Sequence, residues 1–249
     1  IGIEPAENID WSKVDDNIKI VNDYFNENSL KECNLKDKVK VFSSCAMFYD
    51  IDNPNSFMKV IKNNMDKNGI FCIQLSYLPS MLKNLNFYDI CNEHLEYYSL
   101  HSLSFLMGNH NLKIFEAAEN DVNGGSIRVF ISHKERKIKE SKNLKNLYKA
   151  ELEMSLKNKA TYTNFYDKIL KIKSKVRKAI FDELKNGLVF GLGASTKGNM
   201  LLQTFDLGKD IIPFISERNS SKVGLKTLGT DIELISEISA RKKNPKMML

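Results

Sequence analysis

The sequence predicts an α/β protein: a doubly wound sheet with an antiparallel edge, followed by a second, smaller α/β unit. Three observations carry this. Short apolar runs alternate with amphipathic stretches from Ile1 to Asn109, which is the order of βαβ units. Two strand-like runs, Leu112–Ala117 and Ser126–Ser132, then follow one another with the turn signal Asn123-Gly124-Gly125 between them. Such a pair closes a mainly parallel sheet with an antiparallel edge. After a long lysine-rich stretch, a strand, a glycine-rich loop, a helix and another strand recur between Leu188 and Glu217.

In chain order, Ile1–Glu4 reads as a short buried strand ended by Pro5, and Asn17–Phe25 as a further apolar candidate. Lys38–Ser43 alternates and then meets small residues, as a strand does at its carboxyl end. Asn53-Pro54 opens a helix, with Pro at the first position and apolar residues at Phe57, Val60 and Ile61. Asn68-Gly69 is expected to stop it, and Gly69–Tyr77 to form the next strand. His101–Asn109 reads as a helix. Asn143 to Lys185 reads as helical with a break at Asn158–Thr161. Leu188–Leu192 and Ile211–Glu217 are strands, separated by a loop and helix over Gly193–Gln203. The expected boundary lies near residue 140, giving domains 1–140 and 141–249. Ile1 falls at once into a strand and the final NPKMML opens an apolar run, so both ends read as cut.

Composition removes several function classes. The chain has 249 residues with 42% hydrophobic and 27% charged side chains, a globular balance. There is no run of 18 apolar residues, and no basic-then-apolar leader, so neither a membrane span nor a signal peptide is expected. Cys33, Cys45, Cys72 and Cys91 are scattered, with no C-x-x-C pair. That spacing fits neither a zinc site nor a disulfide scaffold, and a reducing cytoplasm is the expected setting. The net charge of +6 is concentrated between Lys134 and Lys178, where glutamates are interspersed. Mixed charge of this kind coats a solvated helix face, and without an aromatic-basic motif it does not point to nucleic acid. A basic balance also suits a doubly anionic small molecule.

Four segments carry chemistry. Glu4, at a strand end, can accept both hydroxyls of a ribose, or it can be a solvated strand-end glutamate. From Leu75 to Leu100 polar and aromatic groups crowd together: Tyr77, Tyr88, Asp89, Glu93, His94, Tyr97 and Tyr98. This segment follows a strand's carboxyl end, where doubly wound sheets place ligands, and His94 is the one histidine within it. The alternative is a loop stabilised by hydrogen bonds. In Asn120–Phe130, Gly124-Gly125 permit a tight turn and Arg128 can hold a carboxylate or phosphate through two donors; a hairpin with a surface arginine reads equally well. In Val189–Asn199 (VFGLGASTKGN) a strand enters glycines, small hydroxyl residues and Lys197 before a helix, a context for an anion. It lacks the Walker A order, and Glu217 follows Gly193 by 24 positions, as in a nucleotide-binding unit.

Taken together and in this order, Glu4-Pro5, Glu93-His94 with Tyr97 and Ser99, Gly124-Gly125-Ser126 with Arg128, and Gly193-Ala194-Ser195-Thr196-Lys197-Gly198-Asn199 resemble the sugar C-methyltransferase family. The resemblance runs from Ile1 to about Pro245. It implies a zinc-binding N-terminal region, a central methyl-donor domain of the Rossmann-like class I type, and a C-terminal Rossmann-like domain that helps hold a nucleotide sugar. The chain matches the last two, with the first strand and glycine loop of the donor domain missing. S-adenosylmethionine is the implied cofactor, with Glu4 and Ser44 on it. The implied substrate is a nucleotide-linked ketosugar, held by Arg128, Gly193, Ser195, Thr196, Lys197 and Asn199. His94, Glu93, Tyr77, Tyr97 and Asp50 form the implied catalytic set, with no metal among them. Two positions depart from the family pattern: Asp50 stands where a histidine is common, and Cys91 where a tyrosine is common. Three other readings stay open: a methyltransferase acting on oxygen or nitrogen, a nicotinamide-dependent oxidoreductase using the Gly191–Gly198 loop, and a non-catalytic sugar-nucleotide-binding protein.

Overall fold

A computed structural model describes residues Ile1–Leu249. The chain divides into two units: Ile1–Ser80 with Leu95–Ser155, and Met81–His94 with Leu156–Leu249. The expected boundary near residue 140 differs from the observed division in two ways. The helix after residue 140 stays with the first unit, and a short internal segment that includes Glu93 and His94 belongs with the second.

The first unit opens with two short parallel strands, β1 (Gly2–Ile3) and β2 (Ile20–Val21). The strand expected over Asn17–Phe25 shrinks to the two central residues of β2, because the asparagine side chains around it are engaged with other backbone groups. Asn22 Nδ2 donates to the carbonyls of Glu4 and Ala6, and Asn26 caps α1 (Glu27–Glu32). A separate four-stranded sheet follows, built from β3 (Val39–Cys45), β4 (Met65–Ser76), β5 (Leu112–Asn120) and β6 (Ser126–His133). Its order is β3-β4-β6-β5. β3 is parallel to β4, and β6 runs against both its neighbours. This is the α/β sheet with an antiparallel edge that the sequence predicts.

Helix α2 (Pro54–Asn64) starts as expected, with Asn53 accepting from the Ser56 amide at 3.0 Å and Pro54 at the first position. It ends earlier than Asn68-Gly69. β4 begins at Met65, and Gly69 lies inside the strand at an irregularity in its pairing with β3. A Cβ at Gly69 would lie 2.9 Å from the carbonyl oxygens of Asp66 and Val39, so the glycine serves a close backbone approach rather than a helix stop. Helix α3 (Leu78–Asn84) follows β4. Helix α4 (Leu100–Asn109) starts with a capping box in which Ser99 and Ser102 exchange side chain–backbone bonds. Phe71, Ile73 and Leu75 of β4 point into a core shared with Phe48, Met58, Ile61, Leu103, Met107, Val129 and Leu144.

The helix that closes the first unit, α5 (Lys142–Glu153), is held by a buried carboxylate. The Glu151 side chain is 1% exposed. Its Oε1 accepts from the Tyr77 hydroxyl at 2.7 Å and from the Leu100 amide. Its Oε2 accepts from the His101 amide at 3.1 Å and meets His101 Nδ1 at 2.5 Å. The carboxylate therefore sits on the first turn of α4, where unpaired amides and the helix dipole favour negative charge. Burial, followed by the bond to Glu151, pushes the Tyr77 hydroxyl far above its ordinary range, so it remains a donor.

The second unit contains α6 (Lys159–Leu184), β7 (Val189–Leu192), α7 (Thr196–Thr204), β8 (Phe214–Glu217), β9 (Glu233–Ser236), α8 (Glu237–Lys242) and β10 (Met247–Met248). Its sheet is wholly parallel, in the order β10-β7-β8-β9. Phe190, Ile235 and Ala240 form one buried cluster, with Phe214 packed against them, and Ile180, Val189, Ile212, Ile215 and Ile232 are buried as well. No helix of the chain is long and apolar enough to cross a membrane.

The Glu151 network yields a stability test. Tyr77→Phe is expected to lower stability by about 2 kcal/mol, the usual worth of a hydrogen bond to a charged group. Glu151→Ala, which strips partners from two amides and a hydroxyl at once, should cost more, about 3–5 kcal/mol. Urea denaturation of the two variants checks the order; equal and small losses would show that water replaces the network.

Candidate functional site

Glu4 and Ser44, expected on the cofactor, line one groove of the first unit. The groove holds about 670 Å³ and runs between β1 and β3, with Ile3, Phe25, Val41, Phe42 and Met47 on its apolar walls. Glu4 Oε1 accepts from the Ala6 amide at 3.0 Å, which leaves its other carboxylate oxygen for a ligand. Ser44 is buried, and its hydroxyl has no hydrogen-bond partner in the protein. A buried hydroxyl without a partner is costly unless something polar meets it. An acidic strand end, a buried unpaired hydroxyl and apolar walls together fit a nucleoside with a polar tail.

The catalytic candidates are distributed over both units. Asp50 ends a single helical turn, Phe48–Asp50, in the first unit, and is exposed. Beside it, the Tyr49 carbonyl accepts from the amides of Leu95 and Glu96 at 2.9 and 3.1 Å. Tyr97 is half-buried on the same stretch. Tyr77, by contrast, is 2% exposed with its hydroxyl committed to Glu151, so its geometry serves the fold rather than a ligand. Tyr98, next to Tyr97, is buried with an unpartnered hydroxyl that burial and then Glu96 push up to about 12.

Glu93 and His94 lie in the second unit on a chain of tight turns. The Asp89 amide donates to Asn86 O at 3.1 Å, the Cys91 amide to Asp89 O at 3.1 Å, and the His94 amide to Cys91 O at 3.2 Å. Burial raises the Cys91 thiol above its ordinary range, so it stays protonated near neutral pH. This segment is anchored on α7. Phe87 and Phe205 rings lie 5.3 Å apart, and Lys197 Nζ is 2.7 Å from Asp89 Oδ1 and 5.4 Å from the Tyr88 ring centroid. Lys197, expected on a substrate diphosphate, is thus paired within the protein. In the sequence Asp89 is only one member of a polar cluster, and nothing there marks it as the partner of Lys197.

The glycine-rich loop leads from β7 into α7. Gly193 has φ +77°, a conformation that glycine adopts without strain, and its amide donates to Ser216 O at 2.8 Å. The Ser195 hydroxyl caps α7 by accepting from Gly198 N at 3.0 Å, and the Asn199 amide donates to Ser195 O at 3.0 Å. Glu217 turns back on this loop: its Oε2 accepts from Ala194 N at 2.9 Å and its Oε1 from Asn219 N at 2.8 Å. The amides of Asn219 and Ala194 hold its carboxyl below the ordinary range. The Ser195 and Thr196 amides at the start of α7 are not taken by these bonds. In the first unit, Asn123, Gly124 and Gly125 all have positive φ and form the turn before β6. Arg128, exposed on β6, donates from Nε and Nη2 to Gln74 Oε1 at 3.0 and 2.7 Å. No group of three or more His, Cys, Asp or Glu is placed to hold a metal.

The chain has recognisable relatives. It is 26% identical over 238 residues to the C-methyltransferase NovU of Streptomyces niveus, an overlap of 95% of this chain and 57% of that protein. It therefore spans a little over half the length of the curated relative it matches. Among solved structures, an S-adenosylmethionine-dependent methyltransferase from Clostridium acetobutylicum is 11% identical, covering 40% of this chain and 60% of that one with a TM-score of 0.31. The mitomycin 7-O-methyltransferase MmcR is 13% identical, covering 40% of this chain and 31% of that one with a TM-score of 0.32. A family model described as the C-methyltransferase C-terminal domain matches residues 121–249, half of the sequence, and the chain belongs to that family.

Proposed function

We propose that the chain forms the donor- and substrate-binding parts of an S-adenosylmethionine-dependent methyltransferase that methylates carbon on a nucleotide-linked ketosugar. The observation that carries this reading is the junction within the second unit. The Glu93–His94 turn and the Gly193–Asn199 loop, far apart in sequence, are tied together through Asp89 and Lys197. A candidate base and a candidate anion-binding loop thus share one support. The groove bearing Glu4 and the unpaired Ser44 hydroxyl fits the donor. When bound, S-adenosylmethionine supplies an electrophilic methyl group.

The chain's own residues divide the remaining work. His94 removes the proton from the carbon beside the sugar carbonyl, a step to which a positioned base contributes about 100- to 10,000-fold. Glu93 orients the imidazole or binds a sugar hydroxyl. Of the two candidate tyrosines, Tyr77 has its hydroxyl engaged by Glu151. Gly193, Ser195, Thr196 and Asn199 cradle the diphosphate at the start of α7. The nicotinamide reading is weakened by Glu217, whose carboxylate is turned onto the Ala194 amide rather than left for a ribose. A second reading, methyl transfer to oxygen or nitrogen, is favoured by exposed Asp50, since it requires less basicity and no carbonyl.

The 249-residue chain by itself is expected to bind S-adenosylmethionine more weakly than micromolar, because the groove lies between two separate sheets and no glycine borders it. Calorimetric titration that returns a micromolar or tighter constant would contradict this expectation of weak binding. In the full enzyme with a nucleotide ketosugar, His94→Asn should abolish both methyl transfer and exchange of the substrate proton with deuterated water, while donor affinity survives. Glu93→Gln should be milder. An ordinary carboxylate, with a pKa of about 4, is too weak a base to substitute well. Exchange that persists in His94→Asn and vanishes in Asp50→Asn would move the chemistry to Asp50. Mass spectrometry of the product from labelled donor separates carbon from oxygen or nitrogen methylation.

A further inference from the structure

We propose that Lys197 and Asp89 form a positioning pair for the Glu93–His94 turn, so that Lys197 acts on the reaction through Asp89 and not through the substrate. The Asp89 side chain is 3% exposed and that of Lys197 40%, at a separation of 2.7 Å. A carboxylate so far out of water requires a charged or donor partner. The Lys197 ammonium lies at 5.4 Å over the Tyr88 ring. The ammonium thus has both a carboxylate and a ring face as partners within the protein.

From Asp89 the constraint passes along the backbone. The Asp89 carbonyl accepts from Cys91 N, and the Cys91 carbonyl accepts from His94 N. These two hydrogen bonds, end to end, span the whole path from Asp89 to His94. Fixing Asp89 therefore fixes the path that carries His94. Tyr88 is held in turn, its hydroxyl donating to Asn86 Oδ1 at 2.9 Å, and Phe87 rests on Phe205. The ion pair adds a charged lock to that apolar contact. The link to catalysis rests on His94 being the base; the link to the turn's geometry does not.

The experiment has two arms. In the 249-residue chain, amide hydrogen exchange over Asn86–His94 is compared for wild type, Asp89→Asn, Lys197→Met and the double variant. Each single variant leaves one member of the pair unmatched and should speed exchange there about tenfold, while the double variant recovers most of the protection. The β7–β9 amides report whether each variant is folded, and Asp89→Asn, which preserves shape, guards against misfolding of Lys197→Met. Unchanged exchange at Asn86–His94 in folded single variants, or no recovery in the double, would overturn the pair. In the full enzyme, Lys197→Met should lower kcat with KM for the nucleotide sugar unchanged, and Lys197→Arg should restore kcat. A raised KM at preserved kcat would instead hand Lys197 to the diphosphate. If the wild type transfers no methyl group to any nucleotide ketosugar, the functional reading fails while the exchange arm still decides the pair.

Discussion

A carboxylate removed from water must be met by donors, and two such carboxylates govern this chain. Glu151 and Asp89 are each almost wholly buried. Glu151 gathers a hydroxyl from the end of β4 and two amides from the start of α4, with an imidazole beside them. Those partners come from segments 50 and 74 positions away, so α5 joins the first unit whatever the local sequence around it favours. Asp89 does the same in the second unit with a lysine from α7. In both cases the cost of an unmatched buried charge, rather than the worth of a matched one, makes the arrangement stringent.

The same constraint explains which features are legible from the residues. Alternation and small carboxyl-end residues mark β3 and β7. Asn53-Pro54 and Ser195 mark helix starts, because caps act within three residues of themselves. The parallel-then-antiparallel order also follows from local patterns. Gly69 misleads because a glycine that ends a helix and one that admits a neighbouring strand look alike until Val39 is known to be opposite. Glu151 sits in a lysine-rich stretch and reads as part of a solvated face, so nothing in the residues marks it as the side chain that ties α5 to the first unit. Lys197 reads as a ligand contact for a related reason: nothing within its loop reveals a carboxylate on a distant segment of the chain.

The candidate site divides in the same way. Glu4 and Ser44 belong to segments far apart in sequence, yet β1 and β3 bring both to one groove. Their residue types are common at strand ends, and only the structure distinguishes them, through the unpaired hydroxyl of Ser44. The Tyr-rich segment is legible as chemically dense but not as to which tyrosine serves what. Burial separates two of them: the Tyr77 hydroxyl donates to buried Glu151, whereas Tyr97 keeps partial exposure.

The two departures from the family pattern are not equivalent in physical terms. Cys91 sits on the same turn as His94, and its carbonyl accepts the His94 amide. That bond needs only backbone, so the turn survives the exchange of a tyrosine for cysteine. What is lost is a phenolic donor, and the thiol does not replace it: a thiol is a weak donor, and burial keeps it from becoming a thiolate. Asp50 differs in kind. It places an acceptor where an imidazole would offer both a donor and an acceptor, directly after the carbonyl of Tyr49 that anchors Leu95 and Glu96. A carboxylate there can receive a hydrogen bond from a hydroxylated substrate but, while ionised, cannot donate one to a carbonyl. The Cys91 departure therefore leaves the backbone of the His94 turn in place and changes only the side chain beside it. The Asp50 departure changes the functional group itself, from an imidazole that can donate and accept to a carboxylate that, while ionised, only accepts.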